Sequence, residues 1–200
     1  RDGRYVLELS GSMRESRFFG ENLLLSRRIT TELGSSSIEI KDRVENQSGK
    51  PDHVMLLYHI NLGYPMLCEN SVLKAVEHDV QPRDTVAEKG LSSWKLCQKP
   101  VSGYSEQCFY HDIPADDDGF SRISMLNPRL GLEFEVASRK AELPFLTQWK
   151  QMGEGAYVTG LEPANCHVEG ALSEQERGTL RMIAAGESIE FCIRLSVKEI

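Results

Sequence analysis

No two cysteines in this chain are spaced as a Cys-x-x-Cys pair, so the sequence offers neither a zinc ribbon nor a thioredoxin-type redox site. Its five cysteines, Cys68, Cys97, Cys108, Cys166 and Cys192, are odd in number and widely scattered. That usage predicts free thiols in a reducing compartment, and we expect a cytoplasmic protein. No apolar run approaches the roughly 20 residues that span a bilayer, which argues against a membrane partner. The net charge of −7 argues against a nucleic-acid surface, since such surfaces cluster Lys and Arg. Low-complexity linkers, internal repeats and capped helical periodicity are missing too. Asp116-Asp117-Asp118-Gly119 looks like part of a calcium loop. With Gly119 in sixth place, however, Pro114 would be first and Met125 twelfth, where a ligand Asp and a bidentate Glu belong. No metal site is expected, and that acidic run reads as a solvated turn. Cys166-His167 makes no dyad, because neighbouring strand side chains diverge. His111-Asp112 meets the same objection, although His111 by itself is a candidate for lining a pocket.

What the sequence does contain is alternation. Ile189, Phe191, Ile193, Leu195 and Val197 point one way while Glu190, Arg194, Ser196 and Lys198 point the other, the mark of a half-buried strand. Leu132, Phe134 and Val136 alternate with Glu133 and Glu135 in the same manner, and Ile123 and Met125 pair with them across Asn127-Pro128-Arg129. Further strands are predicted at 5–9, 23–29, 38–44, 54–60, 157–161 and 179–183. Residues 77–89 read as a short helix or an irregular excursion. Gly34-Ser35-Ser36, Ser48-Gly49-Lys50-Pro51 and Gly153-Glu154-Gly155 supply turns. Many short strands at modest spacing predict an all-β sandwich or barrel, with 1–200 as a single domain. The chain begins at Arg1 and enters strand-like sequence almost at once, which points to a protein cut at its N-terminus.

Two strand-like runs each end on one protonatable side chain beside a Pro or Gly turn. The first, Leu56-Leu57-Tyr58-His59-Ile60-Asn61-Leu62-Gly63-Tyr64-Pro65, presents His59, and Asn61 two residues on is expected on the same face. The second, Tyr157-Val158-Thr159-Gly160-Leu161-Glu162-Pro163-Ala164-Asn165, presents Glu162, with Asn165 as a further hydrogen-bonding group. An imidazole and a carboxylate suffice to move protons on a small polar substrate without metal or cofactor. The plainer readings are a half-buried strand histidine satisfied by a carbonyl and a carboxylate on a rim. Gln148-Trp149-Lys150 places an indole between an amide and an amine, which suits a pyranose; the alternative is a Trp anchoring a sheet corner.

Four segments together, Phe19-Gly20-Glu21-Asn22-Leu23, Leu57 through Pro65, Gln148-Trp149-Lys150 and Gly160-Leu161-Glu162-Pro163, resemble the aldose 1-epimerase (galactose mutarotase-like) superfamily, and within it the DUF4432 branch. The resemblance covers essentially the whole chain. It implies a galactose mutarotase-like β-supersandwich with a sugar cleft on its concave face, of which this chain is about the C-terminal two-thirds and lacks the N-terminal strands. It also implies that His59 is the general acid and Glu162 the catalytic carboxylate. Asn61, His111, Gln148, Trp149, Lys150 and Asn165 are then the expected sugar contacts. The expected activity is interconversion of sugar anomers by acid/base ring opening, with a pyranose between the two catalytic groups and no cofactor. The rivals are a sugar-binding module without turnover and an epimerase acting at another carbon. The expected partner is a small-molecule sugar, with self-association through exposed sheet edges as a further possibility.

Overall fold

The computed structural model describes residues 3–200. In chain order the strands are β1 (Val6–Ser16), β2 (Asn22–Glu32), β3 (Ser37–Asn46), β4 (Asp52–His53), β5 (Ile60–Gly63), β6 (Val72–Lys74) and β7 (Asp79–Pro82). They continue with β8 (Gln107–Asp112), β9 (Phe120–Asn127), β10 (Leu132–Arg139), β11 (Phe145–Gly153), β12 (Ala156–Ala164), β13 (Met182–Ile183) and β14 (Ser188–Glu199). A seven-stranded sheet runs β1-β2-β3-β14-β10-β9-β6, and a five-stranded sheet runs β5-β12-β11-β8-β7. β13 and β4 form a separate pair. All the strand pairs are antiparallel, the arrangement that the period-two runs predict.

The two large sheets face one another across a single apolar layer. Leu73, Ile123, Met125 and Val136 from the seven-stranded sheet meet Leu62, Leu146, Met152 and Leu161 from the five-stranded one. Alternation produces this layer, because every second residue of β9, β11 and β12 turns toward the facing sheet. A second cluster joins Ile40, Val44, Phe191 and Ile193 to Val54, Tyr58, Leu143 and Ile183. β1 is exposed along its whole length, since it pairs on one side only and nothing packs across it.

Two sequence expectations need correction, and a third, the short helix within 77–89, holds in part. Residues 54–60 are not a continuous strand. β4 stops at His53, Leu57 makes one isolated bridge to Ala164, and β5 starts at Ile60. The backbone between is claimed by other groups: Asn165 Nδ2 donates to the Val54 carbonyl, the Leu56 N–H donates to Asn165 Oδ1, and the Tyr58 N–H donates to the Pro163 carbonyl. Only Met182–Ile183 of the run 179–183 forms a strand. Residues 77–89 hold both β7 and a one-turn helix α1 (Thr85–Glu88), capped by the Asp84 carboxylate, which accepts from the Val86 and Ala87 N–H groups. A second short helix, α2 (Ala171–Arg177), closes on Gly178 with φ of 72°, a left-handed cap that favours glycine.

One polar tie inside the sandwich bears directly on the segment that carries His59. Asp42 on β3 is 1 % exposed. It accepts a fork of two bonds from Arg27, at 2.8 and 2.6 Å, and a third from the Tyr58 hydroxyl at 2.7 Å. Asp42→Ala leaves the Tyr58 hydroxyl buried without an acceptor and strands the guanidinium. The expected loss is about 2–3 kcal/mol, less than the roughly 3–5 kcal/mol of a fully buried pair, because the Arg27 side chain is 39 % exposed and can reach water. Urea midpoints should show that loss, with Asp42→Asn intermediate; an Asp42→Ala protein as stable as the parent would show that the tie contributes nothing net.

Candidate functional site

The outer face of the five-stranded sheet carries Glu162 and Asn61. Register sets two neighbouring rows across it. Asn61 on β5 pairs with Gly160 on β12, which pairs with Trp149 on β11 and through it with Cys108 on β8. In the next row Glu162 pairs with Thr147, and Thr147 with Tyr110. Directly paired residues project to the same side, as do residues two apart on one strand. Asn61, Gly160, Trp149, Glu162 and Thr147 therefore share one face.

His59, just before β5, leans over this face. Its Nε2 lies 3.0 Å from Glu162 Oε1, with the imidazole side chain 45 % exposed and the Glu162 side chain 5 %. The approach is close but off-line, so the imidazole and the carboxylate are in contact without a well-directed hydrogen bond. The pair touches, whereas a ring-sized gap was expected between the two groups. Burial pushes the Glu162 carboxyl above the ordinary carboxylate range; His59 opposes that shift and Glu106 adds to it. Glu106 stands nearby because its Oε2 accepts the Trp149 indole N–H at 2.8 Å. The Trp149 ring meets the His59 ring edge-on, with centroids 5.7 Å apart and planes at 73°. The indole is half-buried, so it is neither enclosed in the core nor free of its neighbours.

Gly160 makes this packing feasible. A Cβ there would collide with Glu162 Oε1 and sit 3.1 Å from His59 Cε1. Only a residue without a side chain lets the carboxylate fold back under the imidazole at this point of the strand. An isolated glycine inside a strand pattern is a known sign of close approach, so this position was legible in principle. Glu106 and Thr147 gave no such sign, since neither residue type nor spacing marks them. Among the described residues, no group of three or more His, Cys, Asp or Glu side chains is placed to hold a metal ion.

The family described as "domain of unknown function (DUF4432)" matches residues 1–197. Among solved structures, a candidate aldose 1-epimerase from Klebsiella pneumoniae superposes with a TM-score of 0.93 at 24% identity, covering 98% of this chain and 51% of that one. A galactose mutarotase-like protein from Clostridium acetobutylicum gives 0.64 at 14% identity, covering 98% and 63%. A candidate aldose 1-epimerase from Escherichia coli K12 gives 0.65 at 13%, covering 96% and 66%. These likenesses establish a galactose mutarotase-like fold, and the chain spans about half the length of the Klebsiella protein. No curated protein matches the chain.

Four of the expected contact residues lie elsewhere. Gln148 and Lys150 flank Trp149 and therefore point through the opposite face, where Gln148 Nε2 donates to the Trp94 carbonyl and Lys150 Nζ to the Ser93 carbonyl. Burial lowers the Lys150 ammonium from its ordinary range. Asn165 is consumed by the backbone of Val54 and Leu56. His111 sits beside Gln148 on the buried face, its Nε2 3.1 Å from Gln148 Oε1 and its Nδ1 2.9 Å from His78 Nε2. Because the Gln148 amide already donates to Trp94, its oxygen must accept, so neutral His111 carries its proton on Nε2. Burial, with His78 adding to it, pushes His111 down to about 3. The unfolded chain would protonate this histidine near 6.5. Stability from a neutral His111 is thus complete above about 6.5 and is lost as pH falls toward about 3. Across that window His111→Gln should flatten the pH dependence of unfolding free energy by up to about 1.4 kcal/mol per pH unit. Urea titrations at several pH values read the slope, and a slope unchanged by the substitution would show that His111 is protonated in the fold.

Proposed function

The chain belongs to the DUF4432 family, and from that membership and the site geometry we propose that it interconverts the anomers of a sugar by acid/base ring opening. The observation that carries this reading is the Glu162 carboxylate, buried and raised in pKa, in contact with a half-exposed imidazole beside an indole. A carboxylate held above its ordinary range is a stronger base. Names borne by the Klebsiella, Clostridium and Escherichia structures point the same way. Residues 1–200 are read as belonging to a single mutarotase-like β-sandwich domain, and five free thiols favour the cytoplasm as its location.

In the proposed reaction Glu162 takes the proton from the anomeric hydroxyl. The electron pair of that O–H bond becomes the C1=O1 bond of the aldehyde as C1–O5 breaks, and protonated His59 donates its proton to O5. Rotation about C1–C2 exposes the other face of the carbonyl. Reclosure then runs the transfers backward: O5 attacks C1 as its proton returns to His59, and O1 recovers its proton from Glu162. Because the two side chains touch, the sugar must part them. His59 is the group that can give way, since it is half exposed and lies outside the strand ladder. Trp149 offers an apolar surface for a pyranose and Asn61 a hydrogen-bonding amide on the same face. Gln148, Lys150, His111 and Asn165 take no part in this reading, since their polar groups are bound to protein.

Polarimetry or anomer-resolved NMR with a panel of free aldoses tests the proposal. His59→Ala and Glu162→Gln should each slow anomer interconversion by about 10²- to 10⁴-fold, the usual contribution of one general acid or base. Saturable binding with no acceleration would identify a sugar-binding module. A new sugar in the NMR spectrum would identify an epimerase acting at another carbon.

A further inference from the structure

The free edge of the seven-stranded sheet is β1, 11 residues long and exposed throughout. Just beyond its two ends the Leu33 N–H donates to the Tyr5 carbonyl and the Arg17 N–H to the Glu21 carbonyl. Antiparallel hydrogen bonding alternates along a strand, so the odd-numbered residues of β1 turn their backbone groups toward β2. The N–H and C=O groups of Val6, Glu8, Ser10, Ser12, Arg14 and Ser16 therefore point outward along the edge. Natural sheets often blunt such an edge with a proline, a bulge or a covering loop, and β1 has no proline, pairs without a bulge and lies uncovered. Apolar side chains line one side of it. Leu7, Leu9 and Met13 are 58, 68 and 69 % exposed. They oppose Thr31, Ile29 and Leu25 on β2, and Ile29 and Leu25 in turn oppose Ile40 and Val44 of the second core cluster. The interior surface of the sheet thus runs on, uncovered, to its last strand.

We propose that β1 pairs antiparallel with β1 of a second copy of this chain, about a two-fold axis at Gly11, joining two sheets into one. The proposal is independent of the sugar reading. Charge complementarity selects the register. Two-fold pairing about Gly11 sets Glu8 opposite Arg14 of the second copy, and the symmetry makes that pair twice. It also sets Ser10 opposite Ser12 and Leu9 opposite Met13, and opposite charges or apolar groups so placed stabilise a sheet. Residues whose backbone groups point outward then meet only residues of the same kind. The whole of Val6–Ser16 is paired, since Gly11 is its midpoint. Moving the axis to Ser10 sets Glu8 against Ser12 and Arg14 against Val6; moving it to Ser12 sets both Glu8 and Arg14 against serines. Neither shift brings opposite charges face to face. The one mismatch at Gly11 is Leu7 opposite Glu15. Arg14 Nη1 already donates to Asn22 Oδ1 at 2.6 Å, and Glu8 Oε1 lies 3.7 Å from Arg28 Nε. A guanidinium has further N–H groups and a carboxylate a second oxygen, so both can still meet the second copy.

Sedimentation equilibrium of the chain at low salt tests the proposal, and the wild type should dimerise reversibly. Glu8→Arg and Arg14→Glu each turn two attractive pairs into repulsive ones, so each should weaken the dimer about tenfold. The double substitution exchanges the charges and restores both pairs, and its dissociation constant should return to within about threefold of wild type. Gly11→Cys reads the register directly. A Cβ at Gly11 meets no atom within 4 Å, and the five native cysteines are buried. Gly11 would face its own copy in a non-hydrogen-bonded pair, with Cα atoms about 4.5 Å apart, which a disulfide can span. Oxidised glutathione should therefore link Gly11→Cys into a covalent dimer and leave Glu15→Cys, which faces Leu7, without one. A chain that stays monomeric at every concentration reached would overturn the proposal and leave the edge to a strand of another polypeptide. A dimer indifferent to both charge reversals and not linked through Gly11→Cys would place the interface elsewhere and overturn it as well.

Discussion

The segment that carries His59 is held by side chains and a few isolated backbone bonds instead of by a continuous strand ladder, and the candidate site depends on that arrangement. Between β4 and β5 the backbone leaves the regular pattern. Its polar groups are met by the Asn165 amide and by the Pro163 carbonyl at the end of β12. Tyr58, one residue before His59, reaches the other way and donates to the buried Asp42. Residues 163–165 thus fix the backbone just before His59 from one side and β3 from the other. Glu162 adjoins those pinning residues directly. The carboxylate and the imidazole are therefore positioned by the same few bonds, which is how a pair separated by a hundred residues stays within 3.0 Å. A buried amide that satisfies two backbone groups is costly to replace, because its loss orphans both partners.

Strand alternation does the second part of the work. Thr147 and Trp149 turn outward while Gln148 and Lys150 turn inward, so a run of four polar or aromatic residues is split between two environments. The inward pair is not wasted. Gln148, Lys150 and His111 satisfy the carbonyls of Ser93 and Trp94 and one another, binding the irregular loop before β8 to the sheet. This leaves a polar layer inside an otherwise apolar interior, and such layers specify a unique packing only when every member finds a partner. The outward pair lies on the side of the sheet that carries Glu162 and Asn61.

Electrostatics at the site follows from burial more than from pairing. His59 draws the Glu162 carboxyl down, yet burial wins and the group ends above its ordinary range, with Glu106 pushing in the same direction. Glu106 is itself held by the Trp149 indole N–H, so an aromatic ring fixes the second carboxylate beside the first. Removing water from a carboxylate costs more than one partly exposed imidazole returns, since the exposed partner interacts through a screened, high-dielectric path.

Alternating residues such as Ile189 through Val197 and Leu132 through Val136 were enough to establish strands and an antiparallel sandwich, because a period of two is a local property of the chain. The two protonatable residues were legible for a similar reason: His59 and Glu162 each interrupt an apolar run beside a turn. Sequence alone could also have singled out Gly160, a glycine in mid-strand. It could not separate Trp149 from Gln148 and Lys150 by role, since which side of a strand faces the core depends on the register of β11 against β8 and β12. Nor could it show that Asn165 is spent on the backbone at Val54 and Leu56, a contact across more than a hundred residues. The chain by itself determined the elements and the residue types available for chemistry. Tertiary structure alone decided which of them meet, because side-chain proximity in a sheet is set by pairing between strands far apart in sequence.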